Sequence, residues 1–432
     1  MGLAYALRLI YIKLRKGESC MERLDNSKLS PLQKHIVDEM SVAKSLAIVG
    51  GPGTGKTILA MSGMGLDSNK KQILLTYSRP LSAMIKGCNV TSNTVHSFCW
   101  QLGKKMEEKL GDFDDEYQYE DEPDAALNRV INREYGYDST GWPQWEKLIA
   151  AYNRLGDQGK KDIHYDDIFV DEGQDLPNEA LKFLSLIADR IIVTFDDAQE
   201  VGKENDTGSS KLMRKAGIDC NRILSELSLQ DSFYDLIDNF RNTVAIERVA
   251  KLFYNNYGGN NFSLRVVAAN RPEGSKPKVV FSALNQQLFD DIADRAYQLN
   301  KQVGVIVPDL ETYKAAKAFL DNTVANKILP TAKFLYKYGK ENNMDQSNNL
   351  NQTGVFLVTY QTSKGMEFDD VYLLDCQKNL LQSPADKNRF YVAATRAKET
   401  LTFVFNCSYY QSFPVLNVIK ENEDCFDIER KV

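Results

Sequence analysis

The chain has 432 residues, 53 Lys and Arg against 59 Asp and Glu, and a formal net charge of −6. Hydrophobic residues at 43% and charged residues at 26% give ample core for roughly two or three domains and exclude collagen-like, disordered and disulfide-scaffold classes. The acidic balance argues against coating nucleic acid by bulk charge but leaves room for a local groove.

The opening residues, MGLAYALRLIYIKLRKG, mix an apolar stretch with Arg8, Lys13, Arg15 and Lys16. Arg8 interrupts the run and no small-residue cleavage site follows, so a signal peptide fits poorly. Ala6 stands where the myristoylation pattern wants Ser or Thr. A helical extension over 1–23, docked on the body or on a partner, is the plainer expectation. No apolar run reaches the roughly 18 residues of a membrane span. The seven cysteines are dispersed and never spaced CxxC. A cytoplasmic protein with no membrane role, no disulfide framework and no zinc site is therefore expected.

Strand-like runs follow at Ser45–Val49, Ile73–Tyr77, Ile168–Val170, Ile191–Phe195, Val279–Phe281, Val303–Val307, Val355–Tyr360, Val371–Leu374 and Leu401–Phe405. Most are short, continuous and rich in Val, Ile, Leu and Phe, as parallel strands buried on both faces require. Helical periodicity fills much of the space between, for example at Glu179–Ala188, Gln286–Leu299 and Leu310–Leu320. This alternation predicts α/β architecture, and so many strands fit two sheets better than one. Three stretches break the rhythm. Asp112–Asp124 is strongly acidic, Tyr257–Lys278 is rich in Gly, Asn and Pro, and Lys337–Gly354 is polar and Asn-rich; all three are expected to be loops.

Gly50-Gly51-Pro52-Gly53-Thr54-Gly55-Lys56-Thr57 fits G-x-x-x-x-G-K-[ST] and stands between a strand signal and the helical signal of Ile58–Met64. Glycines let backbone N–H groups curl around phosphate, and the following helix adds its positive end. Lys56 would reach the β- and γ-phosphates, and the Thr57 hydroxyl would bind Mg²⁺. Ile168–Asp175 is a buried strand ending in acids. Asp171 is placed to hold Mg²⁺ through water and Glu172 to polarise the attacking water.

Together GPGTGKT and DEGQD resemble motifs I and II of superfamily 1 helicases of the UvrD/Rep type, and the remaining signatures follow in order. Leu29–Gln33 resembles the Q-motif, in which Gln33 would read the adenine edge; Ser30 and Gln33 also form a capping box with Pro31 first in the helix. Ile73–Ser78 and Thr94–Phe98 resemble the two motifs that line single-stranded DNA. Thr194–Gln199 resembles motif III, with Gln199 as γ-phosphate sensor. Asp238–Thr243 resembles the N-Y-R-S motif IV, with Arg241 facing the γ-phosphate and Phe240 stacking on the base. Thr359–Phe368 resembles motif V, with Glu367 near the ribose. Tyr391–Ala397 matches motif VI, with Arg396 as arginine finger.

The resemblance spans about residues 24–405 and implies a fold and an activity. The fold is two RecA-like P-loop NTPase domains, each a mainly parallel sheet flanked by helices, with the ATP cleft between them. The first would cover 24–225, including an acidic insert at 100–165, and the second 226–432. The implied activity is hydrolysis of ATP with Mg²⁺, driving 3′–5′ movement along single-stranded DNA. Lys56, Glu172, Gln199, Arg241 and Arg396 would be catalytic. The nucleotide would meet Gln33, Gly51–Ile58, Asp171, Phe240, Gly365 and Glu367. The strand would meet Thr76, Tyr77, Arg79, His96, Phe98, Thr359, Gln361 and Lys364.

The pattern also departs from the family. No aromatic follows Gln199 in Glu200–Asn205, Gln361 replaces the usual motif V histidine, and Ile58 replaces the arginine that often follows the P-loop threonine. The spacing leaves no room for the large inserted subdomains. An alternative therefore stands beside the motor: a nucleic-acid-sensing accessory ATPase working with a partner such as a nuclease in bacterial defence or repair. A P-loop ATPase that remodels protein is a third class.

Overall fold

The computed structural model describes residues 29–64, 66–67, 69–76, 82, 85–86, 90–110, 143–196, 220–254, 271–327, 333–335, 353–360, 362–379, 381–382 and 384–429. The expected N-terminal helix and the acidic stretch at 112–124 lie outside these residues, as does nearly all of 337–354.

The first sheet is built from β1 (Leu46–Gly50), β2 (Gln72–Thr76), β3 (Ser92–Thr94), β4 (Tyr165–Val170), β5 (Ala188–Phe195) and β6 (Phe233–Leu236), in the order β3-β2-β4-β5-β1-β6. Every pairing is parallel. Parallel strands need crossover helices, and these bury both faces of the sheet. On one face lie α1 (Pro31–Val42) and α2 (Lys56–Met64), whose Ile36, Met40, Leu59 and Met64 pack with Ile48, Leu74 and Phe169. On the other lie α3 (Val95–Leu110), α4 (Trp145–Arg154), α5 (Asp157–Ile163), α6 (Asn178–Leu186) and α7 (Cys220–Glu226), packed on Val49, Leu75, Val170 and Val193. The capping box expected at the start of α1 is present: Gln33 N–H donates to Ser30 Oγ at 3.2 Å and Ser30 N–H to Gln33 Oε1 at 2.9 Å.

After β6 the chain crosses to α8 (Val244–Lys251), whose Ile246 and Val249 belong to the core of the second sheet. That sheet holds β7 (Lys278–Phe281), β8 (Gln302–Val307), β9 (Lys333–Leu335), β10 (Gly354–Thr359), β11 (Phe368–Leu373), β12 (Ala397–Phe405) and β13 (Asp427–Glu429) in the order β13-β7-β12-β11-β8-β10-β9, again parallel throughout. Helices α9 (Gln286–Gln298) and α10 (Leu310–Lys327) cover one face, while α8, α11 (Pro384–Ala394) and α12 (Pro414–Glu421) cover the other. No helix among the described residues is long and apolar enough to cross a membrane.

Three sequence expectations change here. The boundary at 225 falls too early, because β6 pairs with β1 from Ala47↔Phe233 to Gly50↔Leu236; the crossing runs through 237–243. Phe98, expected against DNA, is 1% exposed and packs edge-on against Tyr165 with centroids 5.6 Å apart. It lies on the stripe Val95-Phe98-Cys99-Leu102-Met106, whose helical spacing faces the sheet. Thr76, also expected against DNA, ends β2 fully buried.

Candidate active site

The turn between β1 and α2 occupies residues 51–55, with Gly53 and Gly55 at φ +75° and +93°, where a Cβ is strained. At Gly53 a Cβ would also run into Asn239 and Arg241, so this loop lies tight against the crossing segment. Phe240 N–H donates to Gly53 O at 2.9 Å, and from the other side Gln33 Nε2 donates to Thr54 O at 3.0 Å. Lys56 is 7% exposed; its Nζ donates to Gly50 O at 2.6 Å and Gly51 O at 3.0 Å and stands 3.6 Å from Asp196 Oδ2. Asp196 has no role in the sequence reading, although its place directly after a buried strand of the same sheet marks it.

Asp171 and Glu172 follow β4, which β5 separates from β1. Asp171 still reaches the loop helix, because Thr57 Oγ1 donates to its Oδ2 at 2.7 Å and Thr194 Oγ1, on the intervening strand, donates to its Oδ1 at 2.5 Å. Burial and then the neighbouring Glu172 charge raise the Asp171 pKa. Glu172 has left-handed backbone, φ 60° and ψ 46°, a conformation that costs a non-glycine residue and recurs at functional sites. Burial pushes its carboxyl upward, but Lys364, Lys56, Gln174 and Arg396 outweigh burial and hold it below its ordinary value.

Lys364 is a correction to the expected strand contacts. It is 7% exposed, donates to Asp175 Oδ2 at 2.5 Å and lies 3.5 Å from Glu172 Oε2. Burial acts to lower its pKa, yet the Asp175 and Glu172 charges raise it overall. The ammonium is thus committed as counter-ion to two acids instead of facing an open groove. A carboxyl with a depressed pKa stays ionised to lower pH, so removing this cation lets the Glu172 pKa rise. In Lys364→Met the acidic limb of kcat/KM for ATP hydrolysis should shift to higher pH; a limb that stays in place refutes the coupling.

Arg241 lies on the crossing, 8% exposed, and its Nε donates to Glu367 Oε2 at 2.8 Å. Glu367, expected beside a ribose, accepts this bond. Burial pushes the Glu367 pKa up, but Arg241 and Lys398 outweigh it and hold the carboxylate ionised. Arg241 Nη1 is buried with no hydrogen-bond partner among the described residues. Arg396, between α11 and β12, is 1% exposed; Nε donates to Val392 O at 2.8 Å and Nη1 to Met366 O at 3.2 Å. Burial and then the like charge of Arg241 pull its pKa down to about 9. At pH 7 it remains charged, and two buried guanidinium groups at close quarters favour an anion between them.

Pro52–Thr57, Glu172, Arg241, Gly365 and Arg396 line one cleft that opens to solvent. Gln33, Gly51, Ile58, Asp171, Phe240 and Glu367 stand around this lining rather than in it. His96 is half-buried in the first turn of α3, and Thr359 ends β10 with its hydroxyl 3.0 Å from Thr362 Oγ1. Tyr77, Arg79, Gln199 and Gln361 lie outside the described residues.

The cleft fits a nucleoside triphosphate: a glycine loop opens it, three buried cations converge on it, and one carries an unpartnered N–H. Thr57 and Asp171 present a hydroxyl and a carboxylate side by side, the hard oxygen donors Mg²⁺ takes when most of its shell is water and phosphate. Among the described residues no cluster of three or more His, Cys, Asp or Glu side chains would cage a metal on its own.

Two family models match the chain: an AAA domain over residues 33–202 and the UvrD-like helicase C-terminal domain over residues 311–408. Among solved structures, the crystal structure of the C-terminal domain of a possible DNA helicase from Lactobacillus plantarum WCFS1 is similar at 20% identity. That match covers 44% of this chain and 97% of the other, with a TM-score of 0.30. No curated protein matches.

Proposed function

From the premise that this chain belongs to the UvrD/Rep-type family of superfamily 1 helicases, we propose that it is an ATP-driven motor on single-stranded DNA, moving 3′ to 5′. The observation that carries this reading is the convergence of Lys56, Arg241 and Arg396 on one cleft from the first domain, the crossing and the second domain. Phosphoryl transfer is catalysed by positioning and by countercharge on the equatorial oxygens. Lys56 and the two arginines supply that countercharge. Glu172, ionised at the cleft wall, orients the attacking water and takes its proton. Thr57 and Asp171 would hold Mg²⁺, which would supply charge neutralisation at the phosphate oxygens. Gln33 and Phe240 flank the loop where a base would lie.

Because Arg396 comes from the second domain and the loop from the first, the catalytic set is complete only when the domains are closed. Binding and hydrolysis then bias an opening and closing motion, the kind of two-state cycle that steps along a strand. Residues at the ends of β3 and β10, including His96 and Thr359, are the proposed path of the DNA.

The test is ATPase rate with single-stranded DNA, single-stranded RNA, duplex DNA and no nucleic acid. The expected result is strong stimulation by single-stranded DNA, lost in Lys56→Ala. A rate indifferent to every nucleic acid would sink the motor reading. Stimulation without displacement of a tailed duplex would favour the accessory-ATPase alternative.

A further inference from the structure

Where the chain crosses between the sheets, it is held by two buried amides. Asn239 and Asn242 are 2% and 0% exposed. Asn239 Oδ1 accepts the backbone N–H groups of Arg241 at 2.9 Å and Asn242 at 3.2 Å, and Asn239 Nδ2 donates to Asn242 Oδ1 at 2.8 Å. Asn242 Nδ2 donates to Thr395 O at 3.1 Å and to Ala397 O at 2.5 Å. Those carbonyls stand on either side of Arg396. One side-chain amide therefore grips the backbone before and after one cleft arginine and, through Asn239, braces the turn that carries the other.

Asparagine suits this place for a definite reason. The N-Y-R-S pattern that Asp238–Thr243 resembles has serine here, and a hydroxyl carries a single donor. It cannot serve both carbonyls, whereas the asparagine amide serves both and still accepts from Asn239. The same crossing bonds the phosphate loop through Phe240 N–H and Gly53 O. Loop, crossing and Arg396 are thus one hydrogen-bonded unit.

We infer that Asn242 is a positioning residue for ATP hydrolysis: it sets Arg396 at the cleft and ties it to the turn bearing Arg241, an inference that rests on the ATPase reading above. Misplacing a catalytic group by about 1 Å can cost on the order of 10²-fold in rate.

The experiment is steady-state ATP hydrolysis by the full chain at saturating single-stranded DNA, with kcat and KM separated and thermal unfolding followed in parallel. Asn242→Leu keeps the branched side-chain skeleton, at the cost of bulkier methyl groups, and removes the three side-chain bonds; Asn242→Ser returns one donor. The expected outcome for Asn242→Leu is a kcat lower by roughly 10²-fold with KM for ATP little changed, and partial recovery in Asn242→Ser. In an Arg396→Ala chain, Asn242→Leu should bring a much smaller further loss, since the group it chiefly positions is gone. An unchanged kcat, or the same factor lost in both backgrounds, overturns the inference. Should Asn242→Leu fail to fold, Asn242→Ser carries the same two-background comparison. A wild-type chain with no ATPase activity overturns the functional reading itself; an active wild type with indifferent Asn242 variants overturns only this inference.

Discussion

Arg396→Ala is expected to lower kcat for ATP hydrolysis by about 10³-fold or more, the scale of an arginine finger, while nucleotide affinity falls far less. That factor corresponds to about 4 kcal/mol of transition-state stabilisation. The side chain is fully enclosed, tethered by Val392 O and Met366 O, and presented at a cleft whose other wall is the phosphate loop. Its guanidinium is held there against burial and against the like charge of Arg241, which together bring its pKa down to about 9. A charge kept in so unfavourable a place is relieved by an anion, and most by the charge-rich transition state. Fluorescent-nucleotide binding beside single-turnover hydrolysis separates the two effects. Lost affinity with an unchanged single-turnover rate would mean that Arg396 only binds ground-state nucleotide.

Glu172→Gln is expected to reduce kcat by roughly 10²–10⁴-fold, the usual range for loss of a positioned general base, with nucleotide still bound. The carboxylate lines the cleft, is kept ionised by Lys364 and Lys56, and is aimed by a strained left-handed backbone. Glutamine keeps the shape and loses the proton acceptor. Trapping of nucleotide in the variant, read by filter retention after rapid mixing, checks it. A variant that turns over at the wild-type rate would remove Glu172 from the chemistry and leave the cleft as a binding site alone.

Much of the architecture was legible from local pattern. All nine apolar runs became strands, because interior strands of a parallel sheet are covered on both sides and must read as continuous hydrophobic stretches. The four strands that pattern did not reveal, β3, β6, β9 and β13, are the two edges of each sheet. Ser92–Thr94 and Asp427–Glu429 are only 3 residues long each and carry no apolar run. Missing β6 also displaced the domain boundary. Phe98 was misplaced for a related reason: a motif resemblance assigns a residue a role, but the helical stripe it belongs to decides which way it faces.

The amino-acid sequence by itself determined the phosphate loop, the acidic strand end, the two distant arginines and the alternation that makes two parallel sheets. Each is a local property of composition and spacing, readable without knowing what it touches. Only the tertiary structure decided the partners: Lys364 with Asp175 and Glu172, Arg241 with Glu367, Asn242 with the carbonyls around Arg396. These contacts join residues more than a hundred positions apart. What selects them is the desolvation cost of a buried charge or amide, which must find a partner wherever the fold brings one. The net charge of −6 could not foretell that buried cations would meet at one cleft.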